Sequence, residues 1–130
     1  MSIQRVAQVF GVVFILAAVA GFIAPGGMGM ESSPDTAAKA LGMFPVNLLH
    51  NIVHLLFGVW GLIASKSFGS AKSYATIGGA AYLLLAVLGF VAPDGFGLVP
   101  LGGSDIWLHI VLGLGLLFFG ATAKAPQAAP

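Results

Sequence analysis

The chain has no cysteine, which excludes disulfides, thiolate metal ligands and cysteine nucleophiles. Charge is scarce too. Asp, Glu, Lys and Arg make up 7% of the 130 residues, against about 25% in a soluble domain. Five bases and four acids leave a formal net charge of +1, too little to build a basic field for nucleic acid. No Gly-rich phosphate loop, catalytic carboxylate pair or nucleophile elbow stands out. What the chain does have is hydrophobic residues, 58% of the total, together with 19 glycines. A disordered chain is polar and charged, so disorder is excluded. The length allows one domain, and the composition makes it an integral membrane domain.

Four apolar runs carry that expectation: Val6–Ala24, Val46–Ala64, Tyr74–Ala92 and Ile106–Ala123. At about 1.5 Å per residue each covers roughly 27–29 Å, close to the thickness of a hydrocarbon core. They do not alternate polar and apolar, so helices are expected rather than barrel strands. Pro25-Gly26-Gly27 and Pro93-Asp94-Gly95 end the first and third runs. Pro45 opens the second, where a missing N–H costs nothing, and Ser104 or Asp105 is placed to cap the fourth. Ser65–Ser73 reads as the connection between the second and third runs, Thr36–Phe44 as a short interfacial helix, and 125–130 as an irregular tail. The fold class expected is all-α, an integral membrane four-helix bundle over 1–124.

Arg5, Lys66, Lys72 and Lys124 fall on one side of this topology, with only Lys39 on the other. The positive-inside rule then places both termini in the cytoplasm of a bacterial cell, with the chain in its inner membrane. Ala18-Val19-Ala20 resembles a signal-peptide cleavage site. A retained first span is nevertheless the expectation, because that span has a counterpart later in the chain.

An offset of 68 residues lays Val6–Pro25 on Tyr74–Pro93, with nine identities in twenty that include the endings Gly21-Phe22/Gly89-Phe90 and Ala24-Pro25/Ala92-Pro93. An offset of 55 lays the second run on the fourth and pairs Gly42/Gly97, Pro45/Pro100, His54/His109, Gly58/Gly113 and Leu62/Leu117. Both halves read Gly-x-x-Pro-(x8)-His-x-x-x-Gly. A duplicated helical hairpin is the reading, repeat 1 at 1–65 and repeat 2 at 66–124. Both hairpins start on the same side, so the repeat is parallel, with a pseudo-two-fold axis along the membrane normal.

Asn47, His50, Asn51 and His54 stand at i, i+3, i+4 and i+7, on one face of the second helix. Asp105 and His109 form a sparser stripe on the fourth. A polar row is costly in lipid, so both stripes are expected to face the bundle interior. There they act either as interhelical hydrogen-bonding glue or as a ligand site. His54 and His109 are candidate axial ligands for haem iron or for a chlorophyll magnesium. His50 and His54 at i, i+4 are alternatively a metal grip, with Asp105 a further candidate. Asn51 stands where the metalloprotease motif has glutamate.

Pro45-Val46-Asn47-Leu48-Leu49-His50-Asn51-Ile52-Val53-His54, followed by Gly58 and Gly61-Leu62, resembles the signature of a bacterial domain-of-unknown-function family of short four-helix membrane proteins. A second element matches at Pro100, Asp105, His109 and Gly113. Gly102 departs from the pattern, standing where an equivalent of Asn47 is expected. The resemblance implies topology and no established activity. With short loops and no catalytic constellation, a non-catalytic accessory or structural subunit of a respiratory or photosynthetic membrane assembly is expected. Its partners are then lipid and other membrane subunits or further copies of itself. Tetrapyrrole or metal binding is the alternative, and a small transporter-like module the second alternative.

Overall fold

The computed structural model describes residues 1–126; of the tail expected over 125–130, residues 127–130 lie outside the described residues. Four helices run up and down in chain order. They are α1 (Ile3–Ile23), α2 (Leu48–Ala64), α3 (Phe68–Val91) and α4 (Asp105–Thr122). The termini and the α2–α3 turn share one end of the bundle, and the two longer connections form the other, the loop end. α1, α3 and α4 are each long and apolar enough to cross a membrane. α2 is an apolar helix of 17 residues.

The surface explains the composition. Leu16, Ile23, Leu84, Phe90, Val111 and Phe118 are all more than half exposed. The buried set includes Asn47, His50, Asn51, His54, Asp105 and His109. A soluble domain has the reverse distribution, whereas a bundle in lipid keeps its polar groups inside.

Several expected boundaries are corrected. α2 begins at Leu48 because Asn47 caps it, its Oδ1 accepting from the His50 N–H at 2.9 Å. Pro45 therefore sits before the helix, in a strand, not in its first turn. α3 begins at Phe68, capped by Ser67, so Lys72 lies on the helix and the α2–α3 connection is only Ser65–Ser67. Ser104 occupies the cap position of α4 without a side-chain hydrogen bond, and Asp105 is in the first turn. The segment Thr36–Phe44 is not helical. β1 (Ala38–Ala40) and β2 (Phe44–Val46) pair antiparallel, Ala38 opposite Val46 and Ala40 opposite Phe44. The turn between them places Leu41 and Gly42 at φ of 54° and 70°, the left-handed pair that closes a tight hairpin and cannot propagate a helix.

Glycine sets the helix spacing, and it does so identically at the two offsets. A Cβ on Gly11 would lie 2.8 Å from the Gly58 oxygen and 3.0 Å from the Leu62 nitrogen. A Cβ on Gly79 would lie 2.9 Å from the Gly113 oxygen and 2.5 Å from the Leu117 nitrogen. Each contact maps onto the other by adding 68 to the first residue and 55 to the second. α1 thus packs on α2 as α3 packs on α4, backbone against backbone, as small residues permit in membrane bundles. Between the hairpins Val6, Phe14, Tyr74, Tyr82 and Leu116 fill an apolar core toward the termini end. The polar residues occupy the loop end.

Candidate functional site: a histidine cluster

The spacing that put Asn47, His50, Asn51 and His54 on one face brings all four inside, each at most 6% exposed. They then divide by role. The two asparagines hold the loops. Asn47 Nδ2 donates to the Leu98 carbonyl at 2.8 Å, and Asn51 Nδ2 to the Gly27 carbonyl at 2.9 Å. Backbone carbonyls of both long connections thereby gain a partner they would otherwise lack away from water. Gly102, where an asparagine was expected, has no room for one. A Cβ there would meet Pro93 Cβ at 2.7 Å and Pro34 Cγ at 3.2 Å.

The histidines converge. His50 and His54 bring their Nε2 atoms to 3.1 Å, as i, i+4 neighbours on one helix face can. His109 arrives from α4 with its ring centroid 6.1 Å from that of His50 and 6.5 Å from that of His54. Each of the three offers one ligand atom, and these atoms lie within 4.8 Å of one another. Asp105 stands behind His50, its Oδ2 3.9 Å from Nδ1, too far for a hydrogen bond. The positions match across the repeat offsets: His54 pairs with His109, and His50 with Asp105.

The cluster is poorly satisfied from within. His50 Nδ1, both ring nitrogens of His109 and Asp105 Oδ2 are buried without a hydrogen-bond partner. Each such atom costs about 1–3 kcal/mol unless something binds it. Nothing in the neighbouring side chains does. Phe14 lies tilted 5.8 Å from His54 and Tyr82 edge-on 5.2 Å from His109, centroid to centroid. These two aromatics escaped the sequence reading, although the 68-residue offset pairs them.

Three neutral imidazoles suit zinc and the neighbouring transition metals. Zinc bonds nitrogen at about 2.0–2.1 Å, so two tetrahedral ligands sit about 3.3 Å apart. The 3.1 Å between His50 and His54 is close to that edge. The rings give no such support to haem or chlorophyll. Bis-histidine haem ligation needs a flat slab between opposed imidazoles, and a tetrapyrrole held by one imidazole needs such a slab beside it. Here His50 packs 4.3 Å from His54, and the cleft beside His109 holds only about 130 Å³.

A bundle of apolar helices closed over buried imidazoles defines the class: a small helical membrane protein with a polar cluster in its core. The family described as "Domain of unknown function (DUF4383)" matches residues 4–122, and the chain belongs to it. No curated protein and no solved structure matches the chain.

Proposed function

We propose that this chain is a non-catalytic bacterial inner-membrane protein that binds one divalent transition-metal ion through His50, His54 and His109. The observation that carries the reading is the convergence of the three ring nitrogens, four polar atoms of the cluster lacking a hydrogen-bond partner among the described residues. His50 and His54 supply Nε2, and rotation of His109 closes the third edge. Asp105 serves best from behind, as the carboxylate that orients a ligating imidazole through its other nitrogen. A binding role rather than catalysis is favoured because the imidazoles and the carboxylate face one another inside the bundle. Both termini are read as cytoplasmic from the lysine and arginine distribution.

The test is metal analysis of protein purified in mild detergent without a metal-affinity step. About one equivalent of zinc, iron or copper per chain is expected, falling to background in His109→Ala. A wild-type chain that stays metal-free after equilibration with zinc would falsify the reading.

A second reading is an accessory subunit of a larger respiratory or photosynthetic assembly, or self-association. Its support is the outer face of α3, where Ser73, Ala80 and Ala81 are exposed beside Ile77 and Leu84. Small residues on a lipid-facing helix suit contact with another helix. Native mass measurement decides it, since a lone monomer with no companion chain would remove it. The transporter-like alternative has less support, because the polar cluster does not continue toward the termini end, where Val6, Phe14, Tyr74 and Leu116 pack as a core.

A further inference from the structure

Two clefts open on opposite flanks of the bundle and reach the same cluster. One lies between α1 and α4, beneath the β1–β2 hairpin, with a volume of about 260 Å³. The other lies between α2 and α3 and holds about 130 Å³. Their walls correspond at the repeat offsets: Ala17 to Leu85, Phe44 to Val99, Val46 to Leu101, Leu108 to Val53. The size difference follows from the first of these pairs. Leu85 fills the smaller cleft where Ala17 leaves the larger one open.

The larger cleft has the form of a ligand site. Ala17, Val46 and Leu108 give it apolar sides. Phe44, at its hairpin end, packs on Trp107 at 5.5 Å between ring centroids. His50, His54 and Asp105 form its polar wall. Within that wall His50 Nδ1 and Asp105 Oδ2 are buried, unpartnered and 3.9 Å apart. Apolar sides with a few convergent polar groups are what small-molecule sites share. Val13, Ala17 and Ala20 of α1 and Leu108 of α4 border the cleft, so a ligand that enters between these two apolar helices comes from the lipid. A phospholipid headgroup is too large for this volume. A carboxylate head would set oxygen against the Asp105 oxygen. A hydroxyl can donate to Asp105 and accept from an imidazole N–H. The rings of Phe44, His50 and His54 along the wall favour a flat head over a bare alkyl alcohol.

We propose that the α1–α4 cleft binds a membrane-dissolved amphiphile with a hydroxylated aromatic head, of the hydroquinone class, admitted sideways from the lipid. Its hydroxyl inserts between His50 and Asp105, and its tail leaves past Ala17 into the bilayer. This goes beyond the metal reading and does not require it, although both use the His50–Asp105 edge: the hydroxyl takes His50 Nδ1, and a metal would take Nε2.

The experiment uses the full chain in nanodiscs and decylubiquinol as probe. Ligand co-eluting with the protein is measured against empty nanodiscs, and metal content is measured in parallel. Saturable binding near one per chain is expected, with decylubiquinone at least tenfold weaker because it has no hydroxyl to donate. Ala17→Leu, which copies the residue of the smaller cleft, is expected to weaken decylubiquinol at least tenfold with metal content unchanged. This substitution adds volume to open space, so the fold is expected to survive, and a thermal melt checks that it does. Absence of saturable binding to wild-type protein overturns the proposal. So does equal binding of quinol and quinone, undiminished binding by a folded Ala17→Leu, or equal competition by dodecanol. Loss of metal from His109→Ala with quinol binding retained separates the two sites; loss of both from a folded variant counts against their independence.

Discussion

The two hairpins share a backbone and differ in side chains. Gly11 on Gly58 and Gly79 on Gly113 make the same close approach. Leu41-Gly42 and Phe96-Gly97 both stand at positive φ, 54° and 70° in one and 60° and 80° in the other, where Gly95 precedes them at 56°. Between these fixed points the residues have drifted apart: His50 against Asp105, Asn47 against Gly102, Asn51 against Ile106, Ala17 against Leu85, Phe14 against Tyr82. At the shared glycine contacts a side chain has nowhere to go, and at the shared turns the positive φ is what both halves keep. Of the divergent ones, His50, Asp105, Ala17, Leu85, Phe14 and Tyr82 border the cluster or its clefts, where a change of side chain alters what can bind without moving a helix. In this molecule packing is the symmetric part, and the candidate chemistry is the asymmetric part.

The largest effect should come from breaking the shared part. Gly58→Val and Gly113→Val each push branched carbons onto backbone that a single Cβ already meets at 2.7–3.0 Å. Overpacking of this kind costs about 1–3 kcal/mol, and the upper end is expected because the opposing atoms are main chain. Thermal unfolding in detergent should show similar losses for the two. If one valine is tolerated and the other is not, the equivalence of the hairpins fails.

The divergent part is broken next. His50 and Asp105 occupy matching positions, and the proposed metal site gives them different work, one as ligand and the other as its support. Asp105→Asn should then weaken zinc binding about 10–100-fold, the usual range for a partner of a ligating imidazole. His50→Ala should lose more. Equal losses from the two, by competition against a chelating dye, would make Asp105 a ligand in its own right.

Much of this was legible in the sequence, and the reasons are physical. Helix existence, the inward polar stripe and the meeting of His54 with His109 follow from period and from the cost of polar groups in lipid. The β-hairpin was not legible. Ala-Lys-Ala and Phe-Pro-Val carry little strand signal, and a non-glycine residue at positive φ breaks the usual turn pattern. The start of α3 was missed because Phe68–Ser73 is less apolar than the rest of its helix, while a helix can run past the hydrocarbon layer. Asp105 as the neighbour of His50 and the unequal clefts depend on how α4 seats against α2. Only the 55- and 68-residue offsets, applied to every pair, would have hinted at them.

The left-handed pair sharpens the shared part in the other direction. A non-glycine residue in this region costs about 1–2 kcal/mol, partly offset by the chain entropy that glycine loses on folding. Leu41 and Phe96 are both largely exposed, so little packing is lost on truncation. Leu41→Gly and Phe96→Gly should each stabilise the protein by about 0.5–1 kcal/mol, read as a rise in Tm. A fall at Leu41 alone would mean that its side chain, on the rim of the α1–α4 cleft, holds that hairpin in place.

The smallest effect concerns how each hairpin ends. α2 runs straight into a turn, and its last carbonyls are taken by the chain itself: Ser65 N–H to Gly61, Lys66 to Ile63 and Ser67 to Ala64. Among the described residues no helix follows α4. Its end is closed from α3, where Lys72 Nζ donates to the Gly120 and Ala123 carbonyls at 2.7 and 2.9 Å. A cation at a helix C-terminus contributes about 0.3–1 kcal/mol. Lys72→Met keeps the apolar stem and removes only the donor, so the global melt should scarcely move. Amide exchange should quicken in the final turn of α4 and stay unchanged in that of α2. Equal quickening in both would mean that Lys72 supports the whole end of the bundle, and that the two hairpins are terminated together and not each in its own way.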